Sequence, residues 1–224
     1  MTKVYIADSE TTGLGPTARV CEYAHVLCKL DNNRLVEVSR FESLVNPGIP
    51  IPAEATAVHG ITDAMVSGAP TLQQILPRSL GLAKNEYALV IGHNFTGFDM
   101  ALLDGVYPQG LDVGCTLKAA RVFIDSPKHG LDFLRDHLKL ESTGRAHSAL
   151  ADCLDTLQVV NHMLRDRAWD VLESCMTARP DKIGFGKHKG KRLEDLPDSY
   201  VRWLLEDCET LSWDMRRALK EVHA

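Results

Sequence analysis

The chain has 224 residues, 45% of them hydrophobic, enough to bury a sizeable core in one or two domains. Its 25 basic residues against 30 acidic ones give a net charge of −5, which argues against a protein that coats nucleic acid by bulk charge. No stretch approaches the ~20 apolar residues of a membrane span, so no membrane partner is expected.

The first predicted element is the strand Val4-Tyr5-Ile6-Ala7, which runs directly into Asp8-Ser9-Glu10 and a Thr11-Thr12-Gly13 turn. Residues i and i+2 of a strand share a face, so Asp8 and Glu10 project together. Two like carboxylates at close quarters repel, and a divalent cation between them relieves that repulsion. A D-x-E pair alone is more often a solvated strand end. It gains force only from further ligands elsewhere in the chain.

Residues 19–30 and 34–45 read as two more strands, separated by the hairpin-turn composition Asp31-Asn32-Asn33. The proline-rich stretch 46–52 is a surface loop. Short helical turns are expected over 53–66, around His59-Gly60, then a helical segment over 71–84 interrupted by Pro77. Residues 87–92 form a short apolar run of the buried-strand type. A helix is expected from near Phe98-Asp99, a strand and helix over 110–123, and a helix near 130–138. Residues 148–165 are strongly helical, with Leu150, Leu154, Leu157 and Leu164 at core spacing. The whole implies an α/β fold with a mixed sheet flanked by helices.

Residues 168–180 read as a connector. After Arg179-Pro180 the composition turns glycine-rich and basic (183–192), followed by amphipathic helices near 197–206 and 212–222. This divides the chain into 1–178 and a small C-terminal module, 179–224. The six cysteines are scattered, with no C-x-x-C pair, and Cys28 and Cys153 sit within apolar runs. With no signal-peptide pattern, they read as reduced thiols of a cytoplasmic protein.

Two further stretches carry candidate ligands. Asp99 follows the apolar run 87–92 at the start of a helix, where an acid is also a common N-cap or first-turn charge. His147 and Asp152 stand at the opening of the 148–165 helix. Five helical steps separate side chains by about 140°, so His147 is expected on the run-in and Asp152 on the inner face. Asp152, beside Cys153 and Leu154, is hard to explain as a solvated position.

The set Asp8, Glu10, Asp99, His147 and Asp152, in that order, resembles the DEDDh exonuclease family of the ribonuclease H-like fold. The family's D-x-E-T-T-G motif stands at 8–13, its H-x-A-x-x-D motif at 147–152, and its N-P-x…H-G-I-T stretch runs from Asn46 to Thr62. The second motif departs by one residue: His93-Asn94 and Phe98-Asp99 are separated by Phe95-Thr96-Gly97, an insertion a bulge or looser helix start would absorb. The C-terminal stretches 185–191 and 200–204, with Cys115–Arg121, resemble the exodeoxyribonuclease X branch of that family.

That resemblance implies a 3′→5′ exodeoxyribonuclease releasing 5′-mononucleotides, with two Mg²⁺ or Mn²⁺ ions held by Asp8, Glu10, Asp99 and Asp152. Hard carboxylate oxygens favour those ions over zinc, and no Cys/His ligand cluster is present. It further implies that His147 is the general base, a task that an imidazole of ordinary basicity suits near neutrality. The partners implied are single-stranded or frayed 3′ ends of DNA, or of RNA. Thr11, Gly13 and Leu14 in the turn, with His59, Asn94 and Phe98, are implied to line the pocket of the terminal nucleotide. Oligomeric state is not readable.

The basic run Lys187, Lys189, Lys191 and Arg192 is either a phosphate-binding loop or a solvated hairpin. Trp203, at helical spacing with Tyr200 and Leu204, is read as core of the small module rather than a base-stacking platform. The rival functional readings are an exoribonuclease of the ribonuclease T type and a non-catalytic DNA-end-binding or polymerase-associated module.

Overall fold

The computed structural model describes residues 3–15, 17–80, 88–103, 105–107, 111–141, 143–144 and 147–223. Tyr87 of the expected strand, residues 81–84 of the expected helical segment, residue 110, and Arg145-Ala146 before His147 lie outside them.

Three antiparallel strands open the chain: β1 (Lys3–Thr11), β2 (Val20–Asp31) and β3 (Arg34–Leu44). Asn32 and Asn33, at φ 47° and 58°, make the two-residue turn between β2 and β3. Asparagine tolerates that left-handed backbone, which matches the twist of a hairpin. On the other side of β1 lie two parallel strands, β4 (Ala88–Gly92) and β5 (Asp112–Cys115), giving the order β3-β2-β1-β4-β5. Every residue of β4 is buried, as its unbroken apolar run demands.

Alternation along β1 splits the interior in two. Val4 and Ile6 join Leu89 and Ile91 against Cys153, Val160 and Met163 of α7 (Ala149–Met163). Tyr5 and Ala7 face the opposite side, with Leu76 of α3 (Leu72–Ser79) and with Phe95, Met100 and Leu103 around α4 (Asp99–Leu103). The remaining helices of this part are α1 (Ala53–His59), α2 (Asp63–Val66), α5 (Thr116–Phe123), α6 (Leu131–His137) and α8 (Trp169–Thr177). Among the described residues, no helix is long and apolar enough to cross a membrane.

Four expectations need correction. The 168–180 stretch is not a connector through most of its length, because α8 buries Trp169, Leu172 and Met176 against the sheet. Pro77 does not interrupt α3; the helix runs through it, with Gln73 and Pro77 both exposed, so the carbonyl left without an N–H partner is open to water. On α7 the innermost stripe is Ala149, Cys153, Thr156, Val160 and Met163, its first three members small enough for close approach to the sheet. Leu150, Leu154 and Leu157 are only partly buried on its flank. Trp203 is the fourth: it is 45% exposed, and so is no core residue.

Beyond α8, an isolated bridge between Lys182 and Arg192 closes a hairpin, followed by α9 (Asp198–Glu206) and α10 (Trp213–Val222). Ile183, Leu193, Tyr200, Leu204, Leu211, Met215 and Leu219 form an apolar cluster of their own there. Trp213 packs on the α4 side of the main sheet. Asp214 pairs with Lys118 of α5 at 2.5 Å, and Lys118 also donates to the Ala178 carbonyl.

Candidate active site

Asp8 and Glu10 stand on the α7 face of β1, near its C-terminal end. Across the antiparallel pair, Asp8 faces Ala24, so a small neighbour leaves room for the carboxylate, and Glu10 faces Glu22. Glu22 is buried and accepts the Ala149 N–H at 2.9 Å, an unpaired donor at the first turn of α7. Sequence reading missed this residue. Its signal was an acid inside an otherwise apolar strand, between Cys21 and Tyr23.

Glu22 therefore fixes the end of α7 that carries the histidine and the last aspartate. His147 sits two residues before the helix at φ 57°, a backbone that turns it back toward the sheet. Glu10, His147 and Asp152 each bring one ligand atom within 4.8 Å of the other two. One turn further along α7, buried Asp155 pairs with Arg135 at 3.0 Å and accepts Thr143 Oγ1 at 2.8 Å. That network ties Thr143 to α7.

Asp99 reaches the site from the other face. It is 4% exposed at the start of α4, and Ser9 Oγ donates to its Oδ1 at 2.6 Å. Ser9 lies between Asp8 and Glu10 but points opposite to them, so β1 carries two acids on one face and holds Asp99 from the other.

The electrostatics follow from crowding. Burial pushes the Asp8 carboxyl well above the usual range, and the charges of Asp99, Asp152, Glu10 and Glu22 push it further. Asp99 is pushed up to about 7 by burial, against the hydrogen bonds it accepts from Ser9 and from backbone N–H groups. Asp152 rises to about 6, chiefly by burial and then by the Asp132 charge, with His147 pulling it back. Such a crowded group of buried and half-buried acids is costly to ionise together, and a hard divalent cation is the partner that removes the cost. The donor set fits one: the Glu10 and Asp152 carboxylates converge with His147, and Arg135 is already committed to Asp155.

The insertion before Asp99 is absorbed as a tight turn. The N–H groups of Gly97 and Phe98 both donate to the Asn94 carbonyl, and Asn94 adopts φ 59°. A Cβ on Gly97 would stand 2.5 Å from Asn94 Oδ1, so the glycine leaves the Asn94 side chain its place. Asn94 is exposed and Phe98 half-buried at the mouth of the site. At the base of this turn, a Cβ on Gly92 would strike the Ala7 carbonyl at 2.4 Å, so β4 approaches β1 closely just before Asp8.

The loop after β1 is fixed at its base: Thr12 N donates to the Arg19 carbonyl, and Arg19 N to Thr12 Oγ1. Thr11 Oγ1 donates to the Gly13 carbonyl. Leu14 at the tip is 90% exposed, with no packing role in the protein itself. His59 sits behind the loop. Its Nδ1 accepts the Ile61 N–H at 3.0 Å, which leaves Nε2 to donate to the Thr11 carbonyl at 3.2 Å. At 2% exposure its ring is closed off from solvent, and its contact toward the loop is with the Thr11 carbonyl. A cavity of about 410 Å³ adjoins Gly15, Gly97 and Phe98, and residues Thr210–Trp213 of the C-terminal part form its far wall.

Replacing Glu22 with alanine is expected to cost about 2 kcal/mol of stability and to lower kcat, because α7 loses a charged acceptor and shifts His147 with it. Glu22→Gln, which still accepts the Ala149 N–H, should recover most of both. Thermal melts and steady-state rates on the two variants check this; equal losses in both would mean that the charge, not the tether, matters.

The Exonuclease family model, of the RNase T type, matches residues 5–160. The chain is 29% identical to exodeoxyribonuclease 10 of Escherichia coli K12 over 226 residues, covering 96% of each. It is 33% identical to an uncharacterized exonuclease of Escherichia phage 186, covering 72% of this chain and 88% of the phage protein. A DNA polymerase III subunit epsilon-like protein of Rhodobacter capsulatus is 37% identical, but this chain spans only 23% of its length. Among solved structures, exonuclease X in complex with 5′ overhanging duplex DNA superposes with a TM-score of 0.62 at 27% identity, covering 78% of this chain and 97% of that one. The nuclease domain of 3′hExo, a DEDDh family member bound to rAMP, shares the fold, with a TM-score of 0.63 at 20% identity over 74% of this chain and 93% of that one.

Proposed function

From its membership of the RNase T-type exonuclease family, to which the chain belongs, we propose that it hydrolyses DNA from the 3′ end, releasing 5′-mononucleotides. The observation that carries the reading is the convergence of Glu10, His147 and Asp152 beside the half-buried Asp8 and the buried Asp99. Likeness to exodeoxyribonuclease 10 over 96% of both chains supports DNA as the substrate.

In this reading Asp8, Glu10, Asp99 and Asp152 hold two Mg²⁺ or Mn²⁺ ions. When bound, these would supply positive charge to the scissile phosphate and to the attacking and leaving oxygens. His147 takes the proton from the attacking water as the water closes on phosphorus. Its position two residues outside α7 lets the imidazole reach the site while α7 holds Asp152 fixed. The electrons of the breaking P–O bond leave with the 3′-oxygen of the penultimate nucleotide. Leu14 and Phe98 offer apolar surface to the terminal base, and the Thr11–Gly13 backbone and Asn94 contact its sugar and phosphate. His59 keeps Thr11 in place. Residues 179–224 form a separate module whose segment 209–213 closes the outer side of the cleft.

The test is digestion of matched DNA and RNA oligonucleotides with free or blocked 3′ ends, with Mg²⁺, with chelator, and with His147→Ala. Stepwise shortening of free-3′ DNA is expected, abolished by chelation and slowed about 10²- to 10⁴-fold in the variant. Preferential shortening of RNA would replace DNA as the substrate; a blocked 3′ end digested as fast as a free one would overturn the polarity.

A further inference from the structure

Within a chain of net charge −5, residues 182–192 carry Lys182, Lys187, Lys189, Lys191 and Arg192, with His188 and no acid. Arg192 is paired with Glu194, whereas Lys187, Lys189 and Lys191 form no ion pair among the described residues. The hairpin holding them is pressed onto α9. A Cβ on Gly186, at φ 67°, would stand 2.7 Å from the Tyr200 hydroxyl, so only glycine lets the basic loop sit this close. Lys187 Nζ lies 5.4 Å above the Tyr200 ring, and His188 meets its edge at 4.5 Å.

The opposite side of this arrangement is aromatic. Trp203 stacks on Tyr200 with centroids 5.6 Å apart and planes 24° from parallel. Tyr200 is 8% exposed and belongs to the core of the module, while Trp203 is 45% exposed. A depression of about 270 Å³ runs between Lys187, Ser199, Tyr200 and Trp203. An indole held flat by a buried tyrosine, half open to water, beside the Lys187 ammonium and on the same module as Lys189 and Lys191, is built for a planar, anionic ligand. Single-stranded nucleic acid has both properties in one polymer: every base has a π-face, and every linkage a charge. A duplex hides its base faces, and an acidic peptide supplies charge without rings.

We propose that the C-terminal module carries a second, non-catalytic site for single-stranded DNA, in which Trp203 stacks a base and Lys187, Lys189 and Lys191 hold the flanking phosphates. The choice of DNA rests on the exonuclease reading above. The module is fastened beside the catalytic cleft by Trp213 and by the Asp214–Lys118 pair, so strand bound here is kept at high local concentration near the active site. The site acts on long substrates and leaves short ones alone.

Binding of the full chain to single-stranded DNA of about 5 and about 25 nucleotides is measured by anisotropy in chelator, where hydrolysis is blocked, and kcat/KM on both lengths in Mg²⁺. Trp203→Ala is expected to weaken long-strand binding about 10-fold, Trp203→Phe to restore most of it, and neither to change kcat/KM on the short strand. The triple variant Lys187→Ala, Lys189→Ala, Lys191→Ala should reduce the salt slope of long-strand binding by about 2. Equal long-strand affinity in wild type and Trp203→Ala, with melting curves unchanged, overturns the proposal. So does displacement of the DNA by polyglutamate at equal charge with the same dependence on Trp203, which assigns the surface to an acidic protein. Trp203-dependent binding without hydrolysis of any strand would instead keep this site and overturn the exonuclease reading.

Discussion

Asp8→Asn is expected to abolish hydrolysis and, in the absence of divalent cations, to make the protein more stable. The loss follows from charge: the asparagine keeps the shape but removes the half-buried anion at the centre of the carboxylate group. If that anion anchors the cations, the transition state loses stabilisation of about 4 kcal/mol or more, roughly 10³-fold in rate. The gain in stability has the same origin. Without a cation, the folded chain holds Asp8 against desolvation and against four other acids, a cost that the amide does not carry. A rise in Tm in chelator together with a collapse of kcat marks a residue kept for function at the expense of the fold. A variant less stable in chelator than the wild type would show that Asp8 has a structural partner, and the assignment would fail.

Much of this arrangement is legible in the chain because short-range rules carry it. Alternation along β1 places Asp8 and Glu10 on the α7 face and Ser9 on the other. The Asn32-Asn33 turn and the apolar run of β4 likewise follow from local backbone and burial rules. His147 on the run-in to α7 follows from its spacing to Asp152, and the structure brings both to Glu10. What escapes sequence reading depends on partners distant in the chain. The burial of α8 is decided by Gly114 of β5, where a Cβ would stand 3.2 Å from Met176 Cβ. Trp203 has helical spacing with core residues, yet whether it is covered depends on how the hairpin folds over α9. Glu22 has meaning only once α7 ends above it. Pattern fixes which way a side chain points; tertiary contact decides what it meets.

The same carboxylates make cation binding and protons compete, which gives a pH dependence with a definite sign. Without cations, burial pushes Asp99 up to about 7 and Asp152 to about 6, both above the ~3.9 of an unfolded aspartate. Between about pH 4 and 7 the folded chain therefore holds protons that the unfolded chain has released. Bound protons are higher in the native state, so this contribution is complete below about pH 4 and is lost as pH rises through 6 to 7. A divalent cation occupies the place of those protons and stabilises the ionised group. The rise in Tm on adding Mg²⁺ should accordingly be small near pH 5, grow through pH 6 and 7, and level off above it. Asp152 alone, partly exposed and discounted for solvent, contributes about 2 kcal/mol, or about 4–8 °C in Tm at this chain length. Melting curves in chelator and in Mg²⁺ across this range measure the difference, with Asp152→Asn as the control that flattens it. An increment of the same size at pH 5 and at pH 8 would mean that the cation binds elsewhere than at these buried acids.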